Sequence, residues 1–266
     1  MNIRNKIDGL KEVWTFDNRL WLTLTKLLFP REQLHVYRYK GLDFLTDHAR
    51  GDARGAREVL ALPVYRRYFP MMKFDGPANV IDAGASNGGF PLLLAADGIP
   101  LKKVVSVEFN RNTYLRLHFN LTRNLSCEVV PLNAGLCGEN KMLRVAPGEG
   151  SVSDSIFNDR GNPESEFYDI PGVTLDHLYK TYFDGETVDI CKIDIETAEF
   201  DVVKHPEEYQ MLRKCRYVIM EIHLGEGRQL NDILEPFEKL GFDRHEPGPG
   251  DDPYVYFFAN RAFDNK

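Results

Sequence analysis

The chain has 266 residues, is 43% apolar and carries a formal net charge of −7. It is long for one domain, short for two, and apolar enough to bury a sizeable core. An acidic balance with no basic block argues against nucleic acid as the partner, because phosphates demand a positive surface. The longest apolar stretch, 20–29, is broken by Thr23, Thr25 and Lys26. That falls short of the ~20 apolar residues of a membrane span. The first ten residues are polar and mixed in charge, unlike a signal peptide, so a cytoplasmic protein is expected. Cys127, Cys137, Cys191 and Cys215 show no CxxC spacing and read as reduced core cysteines.

In chain order, Leu10, Val13, Trp14, Leu20, Trp21, Leu24, Leu27 and Leu28 recur at helical spacing until Pro30. Both tryptophans of the chain lie on this stripe. A second helical stretch, 53–68, ends at Pro70. Residues 1–76 therefore read as an N-terminal helical extension, its apolar face packed on the main domain or a partner subunit. A homodimer is an expectation on that ground.

From residue 79 strands and helices alternate. Strands are predicted at 79–83, 104–108, 128–132, 188–194 and 217–222, with helices at 89–96, 111–124, 174–182 and 199–212. This alternation implies a parallel sheet covered on both faces. Between them 143–145 reads as a short strand and 148–172 as a long loop, which in a compact domain is usually functional. A helix at 231–240 is followed by strands at 242–245 and 254–259. The eight turn-forming residues 246–253 between these strands are too few for a crossover helix, so the two should pair antiparallel. The expected fold class is α/β: a Rossmann-like class I methyltransferase sheet, mostly parallel with an antiparallel C-terminal strand, over residues 77–266.

The chemistry concentrates at strand ends. Val80-Ile81-Asp82-Ala83-Gly84-Ala85-Ser86-Asn87-Gly88 is a strand running into a glycine loop, and the next strand ends in Glu108. A loop and a distal acid at this offset grip a nucleoside, the acid taking the ribose hydroxyls. A dinucleotide fingerprint wants a glycine where this chain has Ser86, and Asp82 would repel a pyrophosphate. S-adenosylmethionine, with an amino-acid tail and no phosphate, fits better. Along 188–199, Lys192, Asp194 and Glu196 share one strand side, and such charges must pair or face a cavity. Glu221 and His223 end the next strand. A histidine and two carboxylates at one mouth can supply a general base or bind a divalent metal; no metal ligand is assigned.

Residues 79–260 resemble the FkbM family of S-adenosylmethionine-dependent methyltransferases. The likeness rests on Asp82 to Gly88, Glu108, Asn133-Ala134, Val173-Thr174-Leu175-Asp176, Glu221-Ile222-His223 and the motif Lys192-Ile193-Asp194-Ile195-Glu196-Thr197-Ala198-Glu199. The chain departs from it at Ser86, Phe109 and Thr197, where the family has Asn, Pro and Gly. The resemblance implies methyl transfer to a hydroxyl of a sugar, polyketide or similar small molecule. Asp82, Gly84, Ser86, Asn87, Gly88 and Glu108 would hold the cofactor, with Asp194 beside it. Asn133 and Ala134 would lie by the adenine. Asp194 or His223 would take the acceptor proton, with Glu221 orienting the acceptor or His223. The loops 148–172 and 246–253 would shape the acceptor pocket. Two alternatives remain open: an NAD(P)-dependent oxidoreductase, and a non-catalytic nucleoside-binding protein, for which Thr197 speaks.

Overall fold

The computed structural model describes residues 12–29, 33–48, 55–146, 156, 166–203, 210–224, 227–248 and 252–264. Leu10, Pro30, the start of the 53–68 helix and most of the 148–172 loop lie outside the described residues.

The apolar runs from residue 78 onward form a seven-stranded sheet among the described residues. Its parallel part is β3 (Ala78–Ala83), β4 (Leu101–Glu108), β5 (Glu128–Asn133), β9 (Val188–Ile193) and β10 (Cys215–Glu221). β3 is buried along its whole length, as a strand covered on both faces must be. The hairpin expected at the C-terminus is β11 (Phe242–His245) with β12 (Val255–Asn260), and β12 runs antiparallel to both β10 and β11. Across the sheet the order is β11-β12-β10-β9-β3-β4-β5. The chain lays β4 and β5 on one side of β3 and then returns to place β9 on the other. This reversal opens a crevice at the carboxyl ends of β3 and β9, where open α/β sheets bind ligands.

The four cysteines are free and three of them are buried, as expected. A smaller sheet joins β6 (Gly135–Leu136), β7 (Lys141–Val145) and β8 (Tyr168–Val173) in the order β6-β8-β7. Residues 168–172, read from sequence as loop, are therefore strand. Gly172 and Pro171 mask the strand pattern, yet Gly172 is needed, because a Cβ there would meet Cys137 and Leu143 within 3.0 Å. The single helix expected over 199–212 is instead two four-residue helices in its described part, Glu199–Val202 and Gln210–Arg213.

The N-terminal part holds the expected helix, α1 (Arg19–Leu28), but Trp14 sits in a turn before it, and α1 buries only Leu22 and Thr25. The Leu20, Trp21, Leu24, Leu27 and Leu28 face, expected to pack on the main domain or a partner subunit, is not covered by the rest of this chain. Between the two helical stretches lies an unexpected hairpin, β1 (Leu34–Tyr39) with β2 (Leu42–Asp47). Lys40 and Gly41 both have positive φ, 48° and 83°, which is the type I′ geometry a two-residue hairpin turn requires. The second stretch is α2 (Gly55–Ala61) and, beyond Pro63, a 3₁₀ segment Arg66–Met71.

This N-terminal part shares a core with the main sheet. Phe16 packs edge-on against Tyr37 and Phe44 at 4.8 and 5.8 Å. These rings belong to one buried cluster with Val80, Leu92, Leu117, Ile219 and Val255. Phe44→Ala is expected to cost about 3–5 kcal/mol, the usual range for a buried aromatic. In urea unfolding the whole chain should shift as one transition; a separate early transition for the N-terminal part would contradict the shared core.

Candidate functional site

Gly84 follows β3 directly with φ +71°. A Cβ there would lie 1.7 Å from the Asp194 carbonyl oxygen, so only glycine lets the turn after β3 pass the end of β9. The Gly84 and Ala85 amides donate to the Val107 carbonyl at 3.0 and 2.9 Å, and the Asp194 amide donates to the Ala83 carbonyl at 3.1 Å. The loop is thus stitched to β4 on one side and to β9 on the other.

Lys192 joins the same two strand ends electrostatically. Its ammonium donates to the Gly84 carbonyl at 2.7 Å and pairs with Asp194 at 3.2 Å and Asp82 at 3.6 Å. Burial works against its charge, but Asp194 and Asp82 outweigh it and raise its pKa. Burial lifts Asp82 to about 6 against the pull of Lys192. Asp82 is fully buried and does not line the cavity. It anchors Lys192 rather than facing a ligand's ammonium.

At these strand ends lies a cavity of about 230 Å³. Of the cofactor residues expected from sequence, Gly84, Ser86, Glu108, Ala134 and Asp194 line it, and Asn87, Gly88 and Asn133 do not. Glu108 accepts from the Ser86 amide at 3.0 Å and the Asn110 amide at 2.7 Å, so its carboxylate is held in place at the end of β4. Ser86 has φ +46°, and its hydroxyl on the cavity wall is buried with no hydrogen-bond partner among the described residues.

The three residues off the wall hold the frame. Asn133 donates from Nδ2 to the carbonyls of Glu108 and Phe109, both at 2.9 Å. Gly88, at φ +93°, starts helix Gly89–Ala96, and a Cβ there would press on Leu117 and Leu121. Asn87 is fully buried; it accepts from the Ala56 amide at 2.6 Å and donates to the Leu45 carbonyl at 3.3 Å. It ties the glycine loop to α2 and β2.

The opposite wall is acidic. Asp194, Glu196 and Glu221 line it, and the Tyr65 hydroxyl donates to Asp194 at 3.4 Å. Burial, then Asp194, push the Tyr65 pKa well above its ordinary value, so it stays a donor. Burial raises Glu196 to about 7, partly offset by His223. It also raises Glu221, with the His223 hydrogen bond opposing.

His223 itself does not line the cavity. Its Nδ1 lies 3.1 Å from the fully buried Glu199 carboxylate, and its Nε2 lies 3.4 Å from Glu221 and 3.6 Å from Glu196. Burial disfavours its charge, but the hydrogen bonds to Glu199 and Glu221 prevail and lift its pKa to about 11. Protonation is thereby favoured at neutral pH, and a protonated imidazole has no lone pair with which to take a proton. One donor atom each from Asp194, Glu196 and His223 lie within 4.8 Å of one another.

The sequence assigns neither Glu196 nor Lys192 to the site by motif alone, although strand period places both beside Asp194. It does not reveal Tyr65, Glu58, Val59 and Val64, which reach the cavity from the N-terminal part. No spacing signal marks these four. Ile156 and Asp252 also line the cavity, from the two loops expected to shape it.

Glu196 and Thr197 follow β9 with φ of 51° and 76°. A left-handed residue with a Cβ costs roughly 1–2 kcal/mol, and a β-branched one is the least tolerant. Thr197→Gly should therefore raise stability, by about 0.5–1 kcal/mol after the extra unfolded-state entropy of glycine. Gly84→Ala should lower it by about 2–4 kcal/mol, because the end of β9 must move. Urea midpoints of the two variants check both signs; equal shifts would show that neither backbone constraint is real.

The family model described as the methyltransferase FkbM domain matches residues 82–244. A search of curated proteins finds no match. Among solved structures, one similar chain is the methyltransferase FkbM from Methylobacillus flagellatus KT, with 15% identity and TM-score 0.48, covering 74% of this chain. This chain spans about half, 47%, of that structure's length. A methyltransferase from Pyrococcus furiosus has 17% identity and TM-score 0.43, covering 92% of this chain and 98% of its own. Magnesium protoporphyrin IX methyltransferase from Synechocystis PCC 6803, solved with bound SAM, has 11% identity and TM-score 0.39, covering 69% and 70%. The sheet order, with antiparallel β12 set between β10 and β11, is that of a Rossmann-like class I methyltransferase. With the family match spanning the glycine loop, the acidic strand ends and the start of the C-terminal hairpin, this chain belongs to the FkbM methyltransferase family.

Proposed function

We propose that the chain is an S-adenosylmethionine-dependent methyltransferase acting on a hydroxyl of a small molecule such as a sugar or polyketide. The observation that carries this reading is a cavity with two unlike walls. One bears a preorganised carboxylate, Glu108, with Ser86 beside it, and the apolar strip Ala134 to Leu136. The other bears Asp194, Glu196 and Glu221.

The first wall suits a nucleoside joined to an amino acid. Glu108 is the acid at the distance a ribose diol requires, and Ala134 and Leu136 offer apolar contact for a purine. When bound, S-adenosylmethionine supplies a sulfonium methyl group. A hydroxyl acceptor is a weak nucleophile and needs a base. Glu196 suits that role because it faces the cavity, and its pKa of about 7 lets it be ionised yet basic near neutrality. Asp194 is held by Lys192 and Tyr65, which places it to orient the acceptor. Glu196 would take the acceptor hydroxyl proton while the bound donor would supply the methyl group to the acceptor oxygen and keep the carbon–sulfur electron pair on its sulfur.

Two measurements test this. By isothermal titration calorimetry the chain should bind S-adenosylmethionine and its demethylated product and ignore NAD; Glu108→Ala should weaken binding roughly tenfold or more, as loss of a charged hydrogen bond does. NAD binding without S-adenosylmethionine binding would overturn the reading. In a screen of hydroxylated acceptors with methyl-labelled donor, kcat/KM should rise with pH as Glu196 ionises and level off above about 7. Glu196→Gln should lower kcat by about 10²–10⁴ and remove that rise. An unchanged profile in the variant would take Glu196 out of the role.

A further inference from the structure

Helix α1 turns its apolar face away from the protein. Leu20, Trp21, Leu24, Leu27 and Leu28 are between 46% and 73% exposed. Their spacing places them within roughly 120° of the helix circumference, a continuous stripe. Leu22 and Thr25, on the other side, are the residues that dock the helix. Asn18, just before α1, donates to the Val36 carbonyl at 2.9 Å and fixes the helix beside β1. The outward side chains Leu34 and Val36 of that strand are also exposed. Apolar surface on this scale is not left to water without a reason.

Its electrostatic setting narrows what covers it. Residues 1–40 hold eight Lys and Arg against four Asp and Glu in the sequence, a net +4 within a chain of net −7; of the described cations, Arg38 pairs with Asp43 and Lys40 with Asp97, which leaves Arg19 and Lys26 on α1 itself. Arg19 is exposed and its guanidinium lies 5.6 Å from the centre of the Trp14 ring, itself 55% exposed. An isologous contact with a second copy would set this cationic segment against itself. An anionic lipid surface instead complements both the charge and the apolar stripe, and tryptophan favours the headgroup boundary. We propose that the exposed face of α1 docks the protein on an anionic bilayer surface. The helix lies in the interface and does not cross it; no described helix is long and apolar enough to span a membrane.

The chain carries its own reporter, because both of its tryptophans, Trp14 and Trp21, belong to this region. The full-length protein is mixed with vesicles of phosphatidylcholine containing phosphatidylglycerol, and with phosphatidylcholine alone. Binding is read by co-sedimentation and by tryptophan emission, with sedimentation velocity in the absence of lipid. The expected result is co-sedimentation and a blue shift with the anionic vesicles, both weakened by salt. The double variant Leu24→Glu, Leu27→Glu should weaken partitioning roughly tenfold or more. The uncharged pair Leu20→Gln, Leu28→Gln should weaken it too, and Met142→Glu, on exposed β7, should not. Absence of binding to anionic vesicles would overturn the proposal. So would equal binding by the α1 variants, or a lipid-free dimer that the Leu24, Leu27 variant dissociates, which would assign the face to a second copy.

Discussion

The ammonium of Lys192 is the interaction on which the site depends. A buried cation costs several kcal/mol unless it is paired and hydrogen-bonded. Here it finds the Gly84 carbonyl, Asp82 and Asp194, all at the ends of β3 and β9. These are the two strands between which the chain reverses direction across the sheet. The charge therefore fixes their ends in register at the position where a ligand must bind. Gly84 makes the approach sterically possible and Lys192 makes it energetically stable. Asp194 has a second face on the cavity, so the same network that closes the fold also presents the chemistry.

A second acidic network lies beside the first. His223 plays for Glu196, Glu199 and Glu221 the part Lys192 plays for Asp82 and Asp194. In each case one buried or half-buried cation holds several carboxylates at a strand end. Glu196 sits between the two networks, in a left-handed turn that Thr197 shares. Its distance to the His223 ring, 3.6 Å, is the longest of the three carboxylates. Burial and the neighbouring carboxylates therefore prevail over that cation and hold its pKa near 7. Backbone strain and a raised pKa meet at the residue proposed above to accept the proton.

The sheet was legible in the sequence because its strands are apolar runs separated by helices of ordinary length, and the short Pro- and Gly-rich link 246–253 forces an antiparallel end. Glu108, Gly84 and Asp194 were legible because Glu108 ends a strand and the other two directly follow one, where chain direction alone places them at the crevice. Three kinds of feature were not. Asp82 and Asn87 sit within the motif but turn inward, and spacing does not reveal which way a loop side chain faces. The β1–β2 hairpin was hidden by Tyr37 and Tyr39, which read as neither clearly apolar nor polar, and by its short Lys40-Gly41 turn. The share of the cavity wall contributed by Tyr65 and α2 arises from long-range packing through Asn87, and no local pattern encodes it. The helical stripe at Leu20 to Leu28 is a stripe in the structure too, but amphipathicity states only that a face is apolar, not that the protein itself covers it.

The central claim is that the two walls of the cavity divide the labour, nucleoside against Glu108 and reacting atoms against Glu196. A crystal structure with S-adenosylhomocysteine tests it most directly. Ribose hydroxyls are expected within hydrogen-bond distance of the Glu108 carboxylate, with the thioether sulfur turned toward Asp194, Glu196 and Glu221. Density with the ribose away from Glu108, or the sulfur facing the Ala134 to Leu136 wall, would contradict it.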